Sequence, residues 1–153
     1  MLTPPSCREA GQDGGVARHV VDLKPRWADM DAYGHVNNVT WLEYLQEARV
    51  DMFHRYTTDP GGLLVEGVVV ARAVIDYKRP LVFRPDPVRI EMWVSRISAA
   101  SFTLDYEVLD RTGGAAIMYV AAQTVLVPVT LEDGLPRRIR PKEREVLGGL
   151  GDD

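Results

Sequence analysis

Trp41, Leu45, Ala48 and Met52 recur at offsets of four, three and four residues, a spacing that puts them on one face of an α-helix. Leu42, Val50 and Phe53 widen that stripe, and the run from Val39 to Phe53 contains no Gly or Pro. About fifteen residues rising 1.5 Å each make a rod of roughly 22 Å, enough to cross a small domain. Trp41, Tyr44 and Phe53 make this helix bulkier than one lying on a surface. The pattern predicts a buried helix with a sheet wrapped around it, and any fold for this chain must provide that cover.

The flanking sequence reads as strand. Val16 to Trp27 alternates loosely and stops near Pro25, and Thr57 to Gly62 (TTDPGG) is a dense turn signal. Val68 to Lys78 follows, with Val69, Ala71, Ala73, Ile75 and Tyr77 its more apolar set. After Pro80, Pro85 and Pro87, Val88 to Ile97 alternates, as does Phe102 to Val108, where Phe102, Leu104, Tyr106 and Val108 interleave with Thr103, Asp105 and Glu107. Gly113 and Gly114 turn the chain into a last strand, Ala115 to Val127. One strand, one long helix and four further strands make an α+β fold of about five antiparallel strands around a central helix. The short connections predict that the last four strands form a consecutive meander. One helix covers only one sheet face, so the other must meet water or a second copy, and a homodimer or dimer of dimers is expected.

Composition narrows the class further. With 153 residues, 46% apolar and 26% charged, the chain has the make-up of one soluble domain. Residues 1–15 are expected to be a disordered leader, 16–129 the folded domain and 130–153 a C-terminal extension with a short helix over Lys142 to Leu147. A formal net charge of -4 gives no reason to expect nucleic acid. Cys7 is the only cysteine, which rules out an intrachain disulfide and argues against cysteine nucleophiles and zinc. No run is apolar enough to span a bilayer, so no membrane partner and a cytoplasmic location are expected.

The chemistry lies in front of the helix, in Arg26 to Asn38 (RWADMDAYGHVNN). Asp29 and Asp31 lie two residues apart, Gly34 permits a sharp turn, and Asn37 or Asn38 suits the helix N-cap. A helix start presents unpaired N–H groups and the positive end of a dipole, suited to a carbonyl oxygen that becomes anionic. A carboxylate facing that place can attack the carbonyl or activate water beside it. Carboxylate, oxyanion donors and a polar histidine, His35, together suit acyl transfer without serine or cysteine. Asp29 is expected to hold the loop or pair with Arg26, while Asp31 can also serve simply to cap the turn. Glu47 and Arg49 are expected in surface or intersubunit salt bridges.

D-x-D-A-x-G-H-V-N-N over Asp29 to Asn38, followed by W-x-x-Y-x-x-x-A-R over Trp41 to Arg49, resembles the signature of hotdog-fold acyl-CoA thioesterases of the 4-hydroxybenzoyl-CoA thioesterase type. The likeness extends over roughly Val16 to Val129. It implies a hotdog fold and a site without metal or cofactor, in which Asp31 is nucleophile or general base. Plant acyl-carrier-protein thioesterases share D-x-x-x-H-V-N-N, and their functional Asp and His match Asp31 and His35; they carry Asn where this chain has Tyr33. The bacterial hydroxybenzoyl enzymes lack a His at position 35.

The expected reaction is hydrolysis of an acyl-CoA to acid and free thiol. Asp31, His35 and Asn38 form the expected catalytic set. Tyr33, Gly34, Val36, Asn37 and Trp41 are expected beside the substrate, with Lys78 and Arg79, and less directly Arg84, near the CoA phosphates. Three alternatives stand beside this reading: a non-catalytic acyl-thioester binding module, a hotdog dehydratase or hydratase, and a divalent metal held by the Asp-x-Asp-x3-His cluster. The absence of G-x-S-x-G and of a P-loop removes hydrolase elbows and nucleoside triphosphates.

Overall fold

A computed structural model describes residues 18–56 and 67–151; the expected leader, Cys7 and the Thr57–Gly62 turn lie outside them. Strand β1 spans His19–Leu23, and a single 3-10 turn at Trp27–Asp29 leads through the motif loop into helix α1, Asn38–Tyr56. Strands β2 (Val68–Tyr77), β3 (Val88–Ile97), β4 (Phe102–Asp110) and β5 (Ile117–Pro128) follow, then a short helix α2, Pro141–Gly148. No helix among the described residues is long and apolar enough to cross a membrane.

The five strands form one antiparallel sheet in the order β1-β3-β4-β5-β2. This corrects the expected meander, because β2 lies at the far edge beside β5 and not next to β3. The link decides the matter physically. Residues 78–87 can span roughly 33 Å when extended, and three inter-strand steps need only about 14 Å. A prolyl connection of that length can therefore cross the sheet instead of closing a hairpin. It passes over the start of α1, where the Val36 amide donates to Leu81 O at 2.9 Å and His35 pairs with Val82.

The helical stripe behaves as its spacing requires. Trp41, Leu45, Ala48 and Met52 are buried against the inward rows of β3 and β4, namely Ile90, Met92, Leu104 and Tyr106. Phe53 joins them, edge-on to Phe102. Leu42 and Val50 do not join the core and remain exposed. A bulge between Val70 and Arg72 interrupts β2, so its apolar alternation does not run through as one set. Further irregularities in β3 and between β4 and β5 add bend to a sheet that curls around α1.

The C-terminal segment belongs to this core. Ile139, Leu147 and Leu150 are buried, the Val94 amide donates to Leu150 O, and Glu143 accepts a two-pronged ion pair from Arg137. On the outer face of the sheet Arg18 stacks over Trp93 at 3.9 Å and pairs with Glu91 and Glu107.

Candidate active site

The motif loop is a miniature hairpin. Met30 pairs with Val36, the Asp31 amide donates to His35 O at 2.8 Å, and the Gly34 amide donates to Asp31 O at 3.0 Å. Gly34 closes the turn at a φ of 77°, a left-handed conformation that costs any residue with a Cβ. Asp31 Oδ1 accepts from the amides of Tyr33 (2.9 Å) and His35 (3.4 Å). One carboxylate oxygen thus caps the turn, and Oδ2 makes no hydrogen bond among the described residues. Asp31 is half-buried and Tyr33 stands out into solvent.

Asp29 has a different task. Its carboxylate is buried and takes hydrogen bonds from the Arg26 amide, the Arg26 guanidinium and, at 2.5 Å, the Tyr44 hydroxyl. Burial opposes its ionisation, but the bonds from Arg26 and Tyr44 outweigh it and hold the carboxyl below the usual range. Burial and the neighbouring carboxylate push the Tyr44 phenol up, so it stays a donor. Asp29 O also accepts from the Asn37 amide at 3.0 Å. Asp29 is therefore the structural residue expected of it, locking the loop to the helix.

Asn37 is the N-cap of α1, its Oδ1 accepting from the Val39 amide at 2.9 Å. The amides of Asn38 and Thr40 have no partner among the described residues, and they form the open donor edge of the helix. Asn38 is exposed, and His35 is half-buried with a side chain that makes no hydrogen bond among the described residues. The side chains of Val36 and Trp41, expected beside the substrate, are buried in the core cluster at the foot of the loop. Lys78 and Arg79 stand exposed just past β2, their amides held by Tyr119 O. Arg84 is not available to phosphates, since it pairs with Asp110 and donates to the carbonyls of Asp86 and Pro87. Arg49 forms no salt bridge among the described residues and instead donates to the Tyr106 hydroxyl at 3.1 Å.

Two features escaped the sequence. Tyr77 lays its hydroxyl on Asn38 O at 3.0 Å, bringing the end of β2 to the helix entrance. The strap residues Leu81 and Val82 brace the loop from the other side. Alternation predicts neither, because both follow from where the crossover lands. Among the described residues no three His, Cys, Asp or Glu side chains, Asp29, Asp31 and His35 included, are placed to hold one ion. A hollow of about 420 Å³ lined by Arg72, Asp76, Trp93 and Asp105 opens on the outer sheet face, on the side away from α1 and hence from Asp31.

Residues 25–147 match the model of the thioesterase-like superfamily. The uncharacterized protein YsmA of Bacillus subtilis (strain 168) is 29% identical over 126 residues, 80% of each chain. A thioesterase from Thermus thermophilus, solved in complex with coenzyme A and Zn, superposes with a TM-score of 0.72 at 29% identity, over 90% of this chain and 96% of that one. A predicted thioesterase from Bacillus stearothermophilus reaches a TM-score of 0.77 at 23% identity, over 88% and 97%, a likeness of fold alone.

Proposed function

The chain belongs to the thioesterase-like superfamily and has its hotdog fold, and from that premise we propose that it hydrolyses an acyl-CoA thioester to the free acid and CoA. The observation that carries this reading is the placement of Asp31, a half-buried carboxylate with one uncommitted oxygen, on the turn directly before the open amides of α1. The thioester oxygen binds at the amides of Asn38 and Thr40, where developing negative charge meets the helix dipole. Asp31 Oδ2 takes a proton from water, whose oxygen adds to the carbonyl carbon. The tetrahedral adduct collapses with cleavage of the C–S bond, and the departing thiolate takes up the proton. If Asp31 attacks directly, the thiolate leaves and an acyl anhydride forms, which water then opens at the aspartyl carbon with the substrate carboxylate as leaving group; a single turnover in heavy-oxygen water separates the routes, because only this one labels the protein. His35 orients the water, and Lys78 and Arg79 receive the phosphates. The neighbour bound to coenzyme A supports the choice of carrier.

Asp31→Asn is the decisive variant. Asparagine keeps the acceptor that caps the turn but removes the base, so kcat/KM should fall by about a hundredfold or more while the melting temperature holds. A stable Asp31→Asn protein with full activity would refute the assignment.

The same reading places a second copy along β2. This edge strand leaves its outer hydrogen-bonding groups unpaired and exposes Val69, Val74 and Tyr77, an arrangement that invites pairing with another chain. Light scattering should report a dimer or larger assembly; a fully active monomer would overturn it.

A further inference from the structure

The bonds inside the Asp31 turn fix its shape, but they do not fix where it sits against α1. Asp31 Oδ1 takes the amides of Tyr33 and His35, Met30 pairs with Val36, and the Asp31 amide donates to His35 O. All of these would survive if the arm carrying Asp31 tilted together with its turn. Asp29, two residues before Asp31, is tied to the helix at two points. Its carbonyl accepts from the amide of the N-cap Asn37 at 3.0 Å, and its carboxylate accepts from the Tyr44 hydroxyl at 2.5 Å. Every other donor to that carboxylate belongs to Arg26, three residues away on the same loop and with a side chain 69% exposed. Arg26 therefore travels with Asp29, and among the described residues Tyr44 is the side chain that holds the carboxylate to the body of α1. Tyr44 is itself immobile, since its ring is buried and stands edge-on to the buried Trp41 at 5.4 Å.

We propose that Tyr44, acting through Asp29, is a positioning residue for hydrolysis: it holds Asp31 Oδ2 at working distance from a carbonyl seated on the Asn38 and Thr40 amides. The inference rests on the thioesterase reading above. The two halves of that site belong to different pieces of chain, the amides to α1 and the carboxylate to the loop arm before it. Asp29 is where the arm is referenced to the helix, so an error at Asp29 becomes an error in the gap between base and carbonyl. A misplacement of about 1 Å can cost about a hundredfold in rate. Loss of the Tyr44 hydroxyl leaves the Asp29 carboxylate to its Arg26 donors, and the arm is free to lean toward them. The pairing of Met30 with Val36 limits that tilt, so the expected loss is about tenfold. Tyr44 is buried and its hydroxyl is committed to Asp29, so substrate does not touch it. Its removal should lower kcat and leave KM nearly unchanged.

The test is a double-mutant cycle on the full chain, with thiol release from butanoyl-, octanoyl- and benzoyl-CoA measured at a temperature where every variant is folded. Tyr44→Phe should lower kcat about tenfold in the parent protein. In the Asp31→Asn background the same change should cost less than about twofold, because there is no longer a base to misplace. Asp29→Asn, which keeps the shape of the side chain and removes the charge its donors meet, is a second variant and should show the same loss in kcat alone. Ile139→Ala controls for stability. Ile139 is buried and bonded to the β3–β4 turn at Ala99, beyond the Phe53–Phe102 contact at the other end of α1. It should lower the melting temperature at least as far as Tyr44→Phe does and leave kcat unchanged. Parent-like kcat in Tyr44→Phe and Asp29→Asn, equal losses in the two backgrounds, or an equal loss in Ile139→Ala overturns the positioning role and leaves hydrolysis by Asp31 standing. A parent protein inactive on every thioester, or a fully active Asp31→Asn, overturns the hydrolytic reading and this inference with it.

Discussion

Tyr44→Phe isolates one buried bond at the base of the site. Tyr44 Oη donates to Asp29 Oδ2 at 2.5 Å, both residues are buried, and the other donors to that carboxylate all come from Arg26. Removing the hydroxyl leaves an ionised carboxylate with one donor fewer, in a place that water reaches poorly. Hydrogen bonds to charged groups contribute about 1.5–3 kcal/mol, so a loss of about 2 kcal/mol is expected at neutral pH. For a chain of this size that corresponds to roughly 4–8 °C in melting temperature. Urea unfolding should show a lower midpoint with an unchanged slope. The pH dependence supplies the sharper check. The folded carboxyl titrates below its unfolded value of about 4, so its stabilisation is present above that pH and is lost as pH falls through the folded value. The gap between parent and variant should therefore be full at pH 7 and shrink in acid below about pH 4. A difference below about 0.5 kcal/mol at pH 7, or one that persists unchanged in acid, would refute the view that this bond holds the loop.

Two further outcomes follow from the same structure. Gly34→Ala should cost about 1–2 kcal/mol through backbone strain alone, because a Cβ there would meet no atom within 4 Å; a neutral substitution by thermal unfolding would show that the turn relaxes. His19 is buried, with Nε2 against Asp51 Oδ2 at 2.8 Å and its ring edge-on to Tyr56. Burial lowers its pKa despite the pull of Asp51, so stability should decline as pH falls below about 6.5 and by at most one proton's worth of slope. His19→Gln should remove that part of the slope, and an unaltered profile would place its origin elsewhere.

Much of the fold was legible because it is written in short-range periodicity. The offsets of Trp41, Leu45, Ala48 and Met52 identify α1, and alternation delimits β3 over Val88–Ile97 at both ends. The order of Asp29, Asp31, Gly34 and Asn37 foretold a cap, a turn and a carboxylate at the helix mouth, since each depends on neighbours within a few residues. Pairing partners carry no such local signature. That β2 lies beside β5, that Arg84 serves Asp110, and that Leu42 and Val50 stay exposed instead of joining the core depend on residues far apart in the chain. Local spacing determines what each segment can become, through backbone sterics and the side-chain period. Which faces remain open is decided when the sheet closes around α1, because only then do the flanks of the helix acquire, or lack, a strand to cover them.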